Sequence, residues 1–479
     1  MKQPLYSTLF LVFVLHTNLP ATLFADAVFR AGVATADITP PVGVSLDGPI
    51  SKPGPVRGVH DPLHARAMVF ELGEAKVAIV VNDMCAIDRE VFDQAKQLIH
   101  KRLGIPVQNQ LMSATHSHAT PRVLRVSTHP PDEAYRRQVA EGIAAAVAQA
   151  HERLAAATVG FGAFARPEFV NCRRFLCQEG TVGPNPFGET GERVKSVSGV
   201  SEHIIRPAGP VDPAVSVLSV RHLDGRPLAV LANYSVHYCG GYASGQVSAD
   251  YFGCYARRLE ERLGKPSDSV PFVGMISNGT SGDTEASRPR ASAPYRGEWT
   301  HMRHVGDRLA DETIELLTKL EHRAPQELIV ASSELELAVR KPSAGRVHWA
   351  KELLANPEAK GPHRWSRIYA QQTLDVAKYP ERYSLPCQAI RIGEIGIAAT
   401  PCEAFAETGL AIKAGSPLKN TFTIELANGC GGYLPTPEQH AWGGYETWIA
   451  RSSHLDVQAE PKIRAELLRL LGEVAKDRR

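Results

Sequence analysis

The 479-residue sequence lacks a strong net charge, an internal repeat, and any long apolar run after its first segment. Lysine and arginine number 53 against 51 aspartate and glutamate residues, so the formal net charge is +2. This balance gives no strong field toward nucleic acid or an anionic surface. No segment after residue 27 offers the roughly 20 apolar residues of a membrane span. We therefore expect neither a nucleic-acid partner nor a transmembrane segment.

Cysteine is scarce, with eight residues in the chain and no Cys-x-x-Cys motif. Eight cysteines are too few to form the framework of so large a fold, and a cysteine zinc site is not expected. One or two disulfides are expected, with Cys172 and Cys177 as the local pair. Cys239, Cys402 and Cys430 each lie within three residues of a candidate site residue, so small buried wall residues are the alternative.

The first 27 residues have the pattern of a secretion signal. Lys2 precedes an apolar run at residues 5–15, and Ala25-Asp26-Ala27 has the small-x-small pattern of a cleavage site. We expect cleavage after Ala27 and export to the periplasm or the medium. An uncleaved anchor is the alternative.

The chain is 43% hydrophobic and 22% charged, so residues 28–479 can bury a large core, as one domain or as two closely packed ones. We expect a single large α/β domain. Three segments share a hairpin pattern, in which a glycine-containing turn joins two strands and a polar residue follows the second strand. They are residues 67–72 with 77–81 before Asn82-Asp83, residues 215–223 with 228–232 before His237, and residues 388–392 with 397–400 before Glu403. Strand ends that meet at one rim form an active-site floor in other α/β enzymes.

Helices are predicted between these hairpins, so that mixed sheets are covered by helices. The predicted helices are residues 89–102 after an Asp88 N-cap, 131 to about 157, 248 or 249 to 263, 301–320, and 461 to about 476. Residues 178–210 and 284–298 read as long loops, which are candidate lids over a substrate or plain surface decoration.

Two histidines two residues apart form the first candidate site. His116 and His118 follow an extended apolar stretch, residues 107–112. Side chains at i and i+2 leave a strand on the same face, so both imidazoles can address one bound metal and its substrate. Two ordinary surface or hydrogen-bonded histidines are the alternative.

The sequence resembles the neutral/alkaline non-lysosomal ceramidase family, and its catalytic N-terminal domain in particular, over residues 28–450. The residues that carry the likeness are Ala31-Gly32, Asp37-Ile38-Thr39-Pro40, Gly58-Val59-His60, Ala65-Arg66-Ala67, residues 113–118, Asn171, Arg173-Arg174, residues 233–237, Gly282-Asp283, Pro401-Cys402-Glu403 and residues 433–438. The resemblance supports the α/β fold expected above.

The resemblance implies a zinc site. Its ligands would be His116, His237, Glu403 and Tyr433, and two histidines with one carboxylate and an open position suit a hydrolytic Zn²⁺.

The resemblance also implies that His118 and Arg173 contact the polar head of the substrate. For Arg173, a surface salt bridge is the alternative. Asp83 and His60 would orient ligands or simply form structural hydrogen bonds.

One departure from the family concerns the catalytic group. The family's serine two residues after Gly-Asp is Glu285 here, and Ser281 precedes the Gly-Asp pair. A metal-activated water assisted by Asp283 or Glu285 therefore fits the residues better than a serine mechanism, with His118 also at the reaction centre. A tight glycine-rich turn in which Asp283 caps the backbone is the alternative.

A second departure is that the chain stops about where the family continues into a C-terminal β-sandwich. The polar loop with Arg288, Arg290 and Arg296 would suit an acidic or sugar-like substrate at least as well as a lipid. We expect an exported zinc-dependent hydrolase that cleaves an amide (N-acyl) bond in a small-molecule, lipid or glycan-like substrate. The alternatives are a zinc-dependent lyase or hydrolase of acidic or N-acylated carbohydrate, and a non-catalytic binding protein on the same scaffold.

Overall fold

Strands and helices alternate along the chain. The computed structural model describes residues 1, 27–46, 54–121, 123–125, 131–196, 202–265, 270–286 and 297–476. The predicted signal run at residues 5–15 and the three arginines at 288, 290 and 296 lie outside these residues. In the described ranges the strands are β1 (Arg30–Asp37), β2 (Gly58–Val59), β3 (His64–Leu72), β4 (Ala75–Asn82), β5 (Gln110–Ala114), β6 (Ala155–Ala165), β7 (Val170–Cys172), β8 (Arg174–Cys177), β9 (Val194–Ser196), β10 (Ile204–Pro207), β11 (Ala214–His222), β12 (Pro227–Tyr234), β13 (Gln246–Val247), β14 (Val273–Asn278), β15 (Thr284–Ala286), β16 (Leu328–Ala338), β17 (Arg382–Ile392), β18 (Ile395–Ala399), β19 (Cys402–Ala404), β20 (Asn420–Ile424) and β21 (Gly432–Leu434).

The helices of the same ranges are α1 (Arg89–Leu103), α2 (Glu133–Glu152), α3 (Asp250–Leu263), α4 (Thr300–Leu317), α5 (Ala344–Ala355), α6 (Ser366–Ala377), α7 (Ala406–Gly415), α8 (Pro437–Trp442) and α9 (Ala459–Ala475), with 3₁₀ turns at Val107–Asn109, Pro167–Phe169 and Tyr445–Thr447. Among them, no helix is both long and apolar enough to cross a membrane.

Two mixed sheets form the frame. The larger has the strand order β14-β12-β11-β6-β1-β3-β4-β5, and the smaller has the order β16-β17-β18-β20. Three pairs in these sheets are parallel, namely β4 with β5, β12 with β14, and β18 with β20. Short two-stranded pairs, β13-β2, β15-β7 and β19-β21, and a three-stranded sheet, β10-β8-β9, complete the sheet structure. This mixed α/β architecture confirms the predicted fold class.

The core consists of packed layers. One apolar cluster contains Phe70 and Leu231 of the larger sheet together with Ile390 and Phe422 of the smaller sheet, so the two sheets pack face to face. Alternate residues of the larger sheet point the other way, against α1 and α2 at one end and against α3 and α4 at the other. The outer face of the smaller sheet packs on α9. The order of layers is therefore helices, sheet, sheet, helix.

The three predicted hairpins are present. They are β3-β4, β11-β12 and β17-β18, all antiparallel. Their turns contain Gly73, Gly225 and Gly393, which have φ values of 58°, 84° and 57°. A side chain rarely adopts this left-handed conformation, which is why glycine marks each turn.

The helix predicted from residue 131 to about 157 is too long. α2 ends at Glu152, and β6 begins at Ala155 and pairs with both β1 and β11. The alanine-rich sequence carries no helix stop, so sheet pairing rather than local propensity sets this boundary. The predicted loop at residues 178–210 contains the short strands β9 and β10.

The predicted local disulfide is not formed, because all eight cysteines are free thiols. Cys172 Sγ lies 3.2 Å from the backbone oxygen of Arg174, whereas Cys177 Sγ lies 3.5 Å from that of Phe175. Of the three cysteines that were alternatively expected to be small buried wall residues, Cys239 and Cys402 are buried, whereas Cys430 is partly exposed.

Candidate metal centre

Strand ends bring the candidate ligands together. His116 lies two residues beyond β5 and His237 three residues beyond β12. Glu403 and Tyr433 lie opposite each other on the parallel pair β19-β21. These four residues are separated by 121, 166 and 30 positions along the sequence, and the fold brings them to one place.

His116 is held firmly by the loop that follows β4. Its φ of 72° is uncommon for a residue with a side chain. Its backbone N–H donates to the Met84 oxygen at 2.8 Å, and its Nδ1 lies 2.7 Å from the Cys85 oxygen. Because a carbonyl oxygen only accepts, Nδ1 carries a proton and Nε2 is the atom directed into the site.

His237 is oriented in the same way by a different loop. The residue is 1% exposed, and its Nδ1 lies 3.1 Å from the Ser281 oxygen. Nδ1 is again the protonated nitrogen, which leaves Nε2 for a ligand. Burial and then the positive charge of Arg173 lower the pKa of His237 well below its usual value. The ring is therefore neutral, which is the form that binds a metal.

Three electron-pair donors converge at this point. The two Nε2 atoms are 2.9 Å apart, and Glu403 Oε2 is 3.3 Å from Nε2 of His116. Within the described ranges Glu403 Oε2 is buried and has no hydrogen-bond partner. Lone pairs this close repel one another unless a cation, either a proton or a metal ion, lies among them. The ligand atoms of His116, His237 and Glu403 all lie within 4.8 Å of one another, and this donor set is one that Zn²⁺ takes in catalytic sites.

The cluster stabilises positive charge even without a metal. Burial by itself would lower the pKa of His116, but the Glu403 carboxylate and Cys85 together outweigh burial and raise that pKa well above its usual value. A proton and a metal ion would therefore compete for the same lone pairs.

Tyr433 and Arg173 form the next part of the site. Tyr433 hydrogen-bonds to Glu403, and its hydroxyl accepts from Arg173 Nη2 at 3.2 Å. The Tyr445 hydroxyl is 3.2 Å from that of Tyr433. The Arg173 guanidinium lies 5.6 Å and 5.4 Å from the ring centres of Tyr433 and Tyr445, within cation–π range. Phenol and guanidinium thus supply donors beside the carboxylate.

Arg173 is 9% exposed, so the surface salt bridge considered from the sequence is wrong. Its Nε lies 3.2 Å from Glu446, and its Nη2 donates to the Gly282 oxygen at 2.7 Å. Arg174 is fully buried and pairs with the other oxygen of Glu446. One carboxylate therefore holds both arginines.

His118 lies at the edge of the cluster. Its Nε2 is 3.3 Å from Nε2 of His116, and its ring stacks on Tyr238 with a centroid distance of 3.9 Å. Cys85, His116 and His118 form a second group of closely spaced donors. Because Nδ1 of His116 faces the Cys85 backbone oxygen, the group with His237 and Glu403 is the better metal site.

Asp283 lies on the loop that follows β14, two residues before Glu285. The Asp283 carboxylate is buried, and its Oδ1 accepts from the Ala406 N–H at 2.8 Å, at the start of α7. Its Oδ2 has no hydrogen-bond partner among the described residues, and burial raises the pKa of Asp283 to about 7. Glu285 lies on β15 opposite Asn171. Asp283 thus accepts from the first N–H of α7 and also carries a carboxyl that can exchange a proton near neutral pH.

The hydrogen bonds that the structure shows for His60 and Asp83 do not reach the imidazoles of His116 and His237. His60 Nδ1 is 2.6 Å from Asp61 and its ring stacks on Trp299. Asp83 accepts from the His64 N–H at 2.9 Å and pairs with Arg66. The imidazoles are oriented by backbone oxygens instead.

Two buried glutamates next to the site, Glu425 and Glu446, were not predicted from the sequence. Glu425 directly follows β20. It therefore shows the same signal, a polar residue at a strand end, that pointed to His237 and Glu403. Glu446 lies in a 3₁₀ turn and has no such signal.

Comparison with known proteins supports the resemblance noted from the sequence. Residues 29–172 match the family described as neutral/alkaline non-lysosomal ceramidase, N-terminal. A crystal structure of neutral ceramidase from Pseudomonas aeruginosa has a TM-score of 0.69 at 18% identity and covers 93% of this chain and 74% of that chain. A ceramidase complexed with C2 has the same TM-score and identity and covers 93% and 75%.

These likenesses show that this chain has the neutral ceramidase fold. The resemblance to the neutral/alkaline non-lysosomal ceramidase family is confirmed, and the family match includes His116 and His118.

Proposed function

We propose that this chain is an exported, zinc-dependent hydrolase that cleaves an amide (N-acyl) bond. The observation that carries the proposal is the convergence of His116 Nε2, His237 Nε2 and the unpartnered Oε2 of Glu403. The neutral ceramidase fold and the N-terminal family match agree with amide hydrolysis. Export rests on the signal pattern at residues 1–27.

The metal would be held by His116, His237 and Glu403, with the Tyr433 phenol as a fourth ligand. When bound, Zn²⁺ polarises a carbonyl and lowers the pKa of a water to about 7. Orientation of the two rings is supplied in advance by the backbone oxygens of Cys85 and Ser281. Such fixed geometry means that little reorganisation is needed during the reaction.

Substrate binding is assigned to Arg173 and His118. The Arg173 guanidinium is fixed by Glu446 and by the Gly282 oxygen, so its remaining donors have a defined direction beside Tyr433. A polar head of the substrate would accept hydrogen bonds there. His118 is half-buried at the edge of the cluster, where it can give a proton to the leaving amine.

We assign to Asp283 or Glu285 the role of the general base that takes the proton of the attacking water. The pKa of Asp283, about 7, suits a general base near neutral pH. Ser281 is not a candidate nucleophile, because its buried Oγ donates to Glu425 at 2.6 Å and accepts from Asn278 at 2.9 Å. In the balanced reaction water adds to the carbonyl carbon, the C–N bond breaks, and the products are a carboxylate and an amine.

The test is hydrolysis of a panel that contains an N-acyl sphingoid lipid and N-acylated oligosaccharides, scored by release of carboxylate and amine. Wild type is assayed as purified, after removal of metal by a chelator, and after return of Zn²⁺. Activity that disappears with the chelator and returns with zinc supports the proposal. Unsaturated sugar products would instead favour the carbohydrate lyase, and zinc binding without turnover of any substrate would favour the binding protein.

Glu285→Gln and Asp283→Asn separate the two base candidates. The variant that removes the base should lose about 10²-fold or more in kcat while its zinc content stays unchanged. If both variants keep wild-type kcat, neither carboxylate is the base and this part of the mechanism is wrong.

A further inference from the structure

Glu425 has a buried side chain whose hydrogen bonds among the described residues go to Asn278, Ser281 and Ala404, beside the metal centre. It is 0% exposed and follows β20. Oε1 accepts from Ser281 Oγ at 2.6 Å and from Asn278 Nδ2 at 3.1 Å. Oε2 accepts from the Ser281 N–H at 3.2 Å and from the Ala404 N–H at 2.9 Å. Both oxygens are therefore fully used.

The partners of Glu425 are the immediate supports of two candidate ligands. Ser281 supplies the backbone oxygen that faces Nδ1 of His237. Ala404 is the neighbour of Glu403 on β19. One carboxylate thus connects the loop that orients an imidazole with the strand that carries the ligand carboxylate.

The two segments also touch directly. The Gly282 N–H donates to the Ala404 oxygen at 2.8 Å. A Cβ atom on Gly282 would lie 2.3 Å from the Glu403 backbone oxygen, so only glycine fits this approach. Glu425 therefore braces a contact in which small displacements would move His237 and Glu403 relative to each other.

A polar side chain buried in this position needs a reason, since its burial is unfavourable unless it is fully hydrogen-bonded. Backbone N–H groups can only donate, so the Ser281 and Ala404 N–H groups require an acceptor. Both N–H groups donate to Oε2, so a glutamine whose oxygen takes that position keeps these two bonds. Its NH₂ group would then replace Oε1 beside Ser281 Oγ and Asn278 Nδ2, so the acceptor that these two groups meet is lost.

We propose that Glu425 is a positioning residue that sets the spacing and ring orientation of His237 and Glu403 for metal binding. The proposal rests on the proposed zinc site. It assigns to Glu425 no contact with the substrate and no role in proton transfer.

The experiment measures the zinc dissociation constant of folded protein by competition with a chromophoric chelator, for wild type, Glu425→Gln and Glu460→Gln. Glu460 is a matched control, because it is 2% exposed and accepts from Thr408 at 3.0 Å and Arg464 at 2.8 Å in the C-terminal helix. The melting temperature of each metal-free protein is recorded in parallel. Loss of a group that orients metal ligands typically weakens metal binding 10- to 100-fold.

We expect Glu425→Gln to weaken zinc binding at least tenfold and Glu460→Gln to leave it within about twofold of wild type. A purely structural role would lower the melting temperature of both variants and leave both zinc constants at the wild-type value, which would overturn the proposal.

If Glu425→Gln does not fold, Ser281→Ala removes one of the four bonds to Glu425 but keeps the backbone oxygen that faces His237. Its zinc binding should weaken severalfold, and an unchanged constant would refute the proposal. Wild type that binds no zinc would instead refute the proposed function, so the two failures are distinguishable.

Discussion

Replacement of Arg174 by methionine should destabilise the protein strongly. Arg174 is fully buried, and its guanidinium pairs with Glu446, donates to Gln439 Oε1 at 3.1 Å and donates to the Gly443 oxygen at 2.7 Å. Methionine fills much of the volume but leaves all three acceptors without this donor. Removal of one partner from a buried ion pair costs about 3–5 kcal/mol. We expect the free energy of unfolding to fall by that amount.

The assay is urea unfolding of the metal-free protein followed by tryptophan fluorescence. Arg469→Met is the control, because Arg469 makes ion pairs with Glu466 and Glu473 but its side chain is 55% exposed. Exposed pairs contribute about 0–1 kcal/mol, so this variant should stay close to wild type. If Arg174→Met is no more destabilised than Arg469→Met, the buried pair of Arg174 and Glu446 does not contribute the stability that we infer.

Three further variants test the site. Asp283→Asn should flatten the pH dependence of stability. Burial raises the pKa of Asp283 in the folded protein from 3.8 to about 7. The free energy of unfolding of wild type therefore falls as the pH rises from about 4 through 7, by up to about 4 kcal/mol. Urea midpoints of metal-free wild type and variant at pH 5 and pH 8 measure this, and parallel pH profiles would contradict it. Tyr433→Phe removes the proposed fourth ligand, so it should bind zinc more weakly than wild type and lose roughly tenfold or more in kcat/KM; wild-type zinc binding and kinetics would show that the phenol takes no part in the site. His118→Gln should keep its zinc and lose about 10²-fold in kcat, whereas loss of the metal would make His118 a ligand instead.

Much of the frame could be predicted because its signals are local. Glycine at Gly73, Gly225 and Gly393 marks three turns whose flanking strands are apolar, and these hairpins supply four of the eight strands of the larger sheet and the two central strands of the smaller one. Polar residues at the strand ends then pointed to His237 and Glu403, which the structure places at 2.9 Å and 3.3 Å from His116 Nε2.

Other features have no local signal. The boundary between α2 and β6 lies in an alanine-rich stretch, where pairing of Ala155 with Ala31 decides the structure. The groups that orient the imidazoles are the backbone oxygens of Cys85 and Ser281, which a residue of any type could supply. Contacts of this kind depend on the path of the chain, so the sequence cannot reveal them residue by residue.

Zinc content tests the central claim most directly. Wild type, His237→Ala and the surface control Arg469→Met are purified, incubated with Zn²⁺, freed of excess metal and analysed for zinc per chain. We predict about one zinc per chain in wild type and in Arg469→Met and a strongly reduced content in His237→Ala, because the alanine removes one of three converging donors. Absence of zinc from wild type, or equal zinc in His237→Ala, would contradict the proposed metal centre.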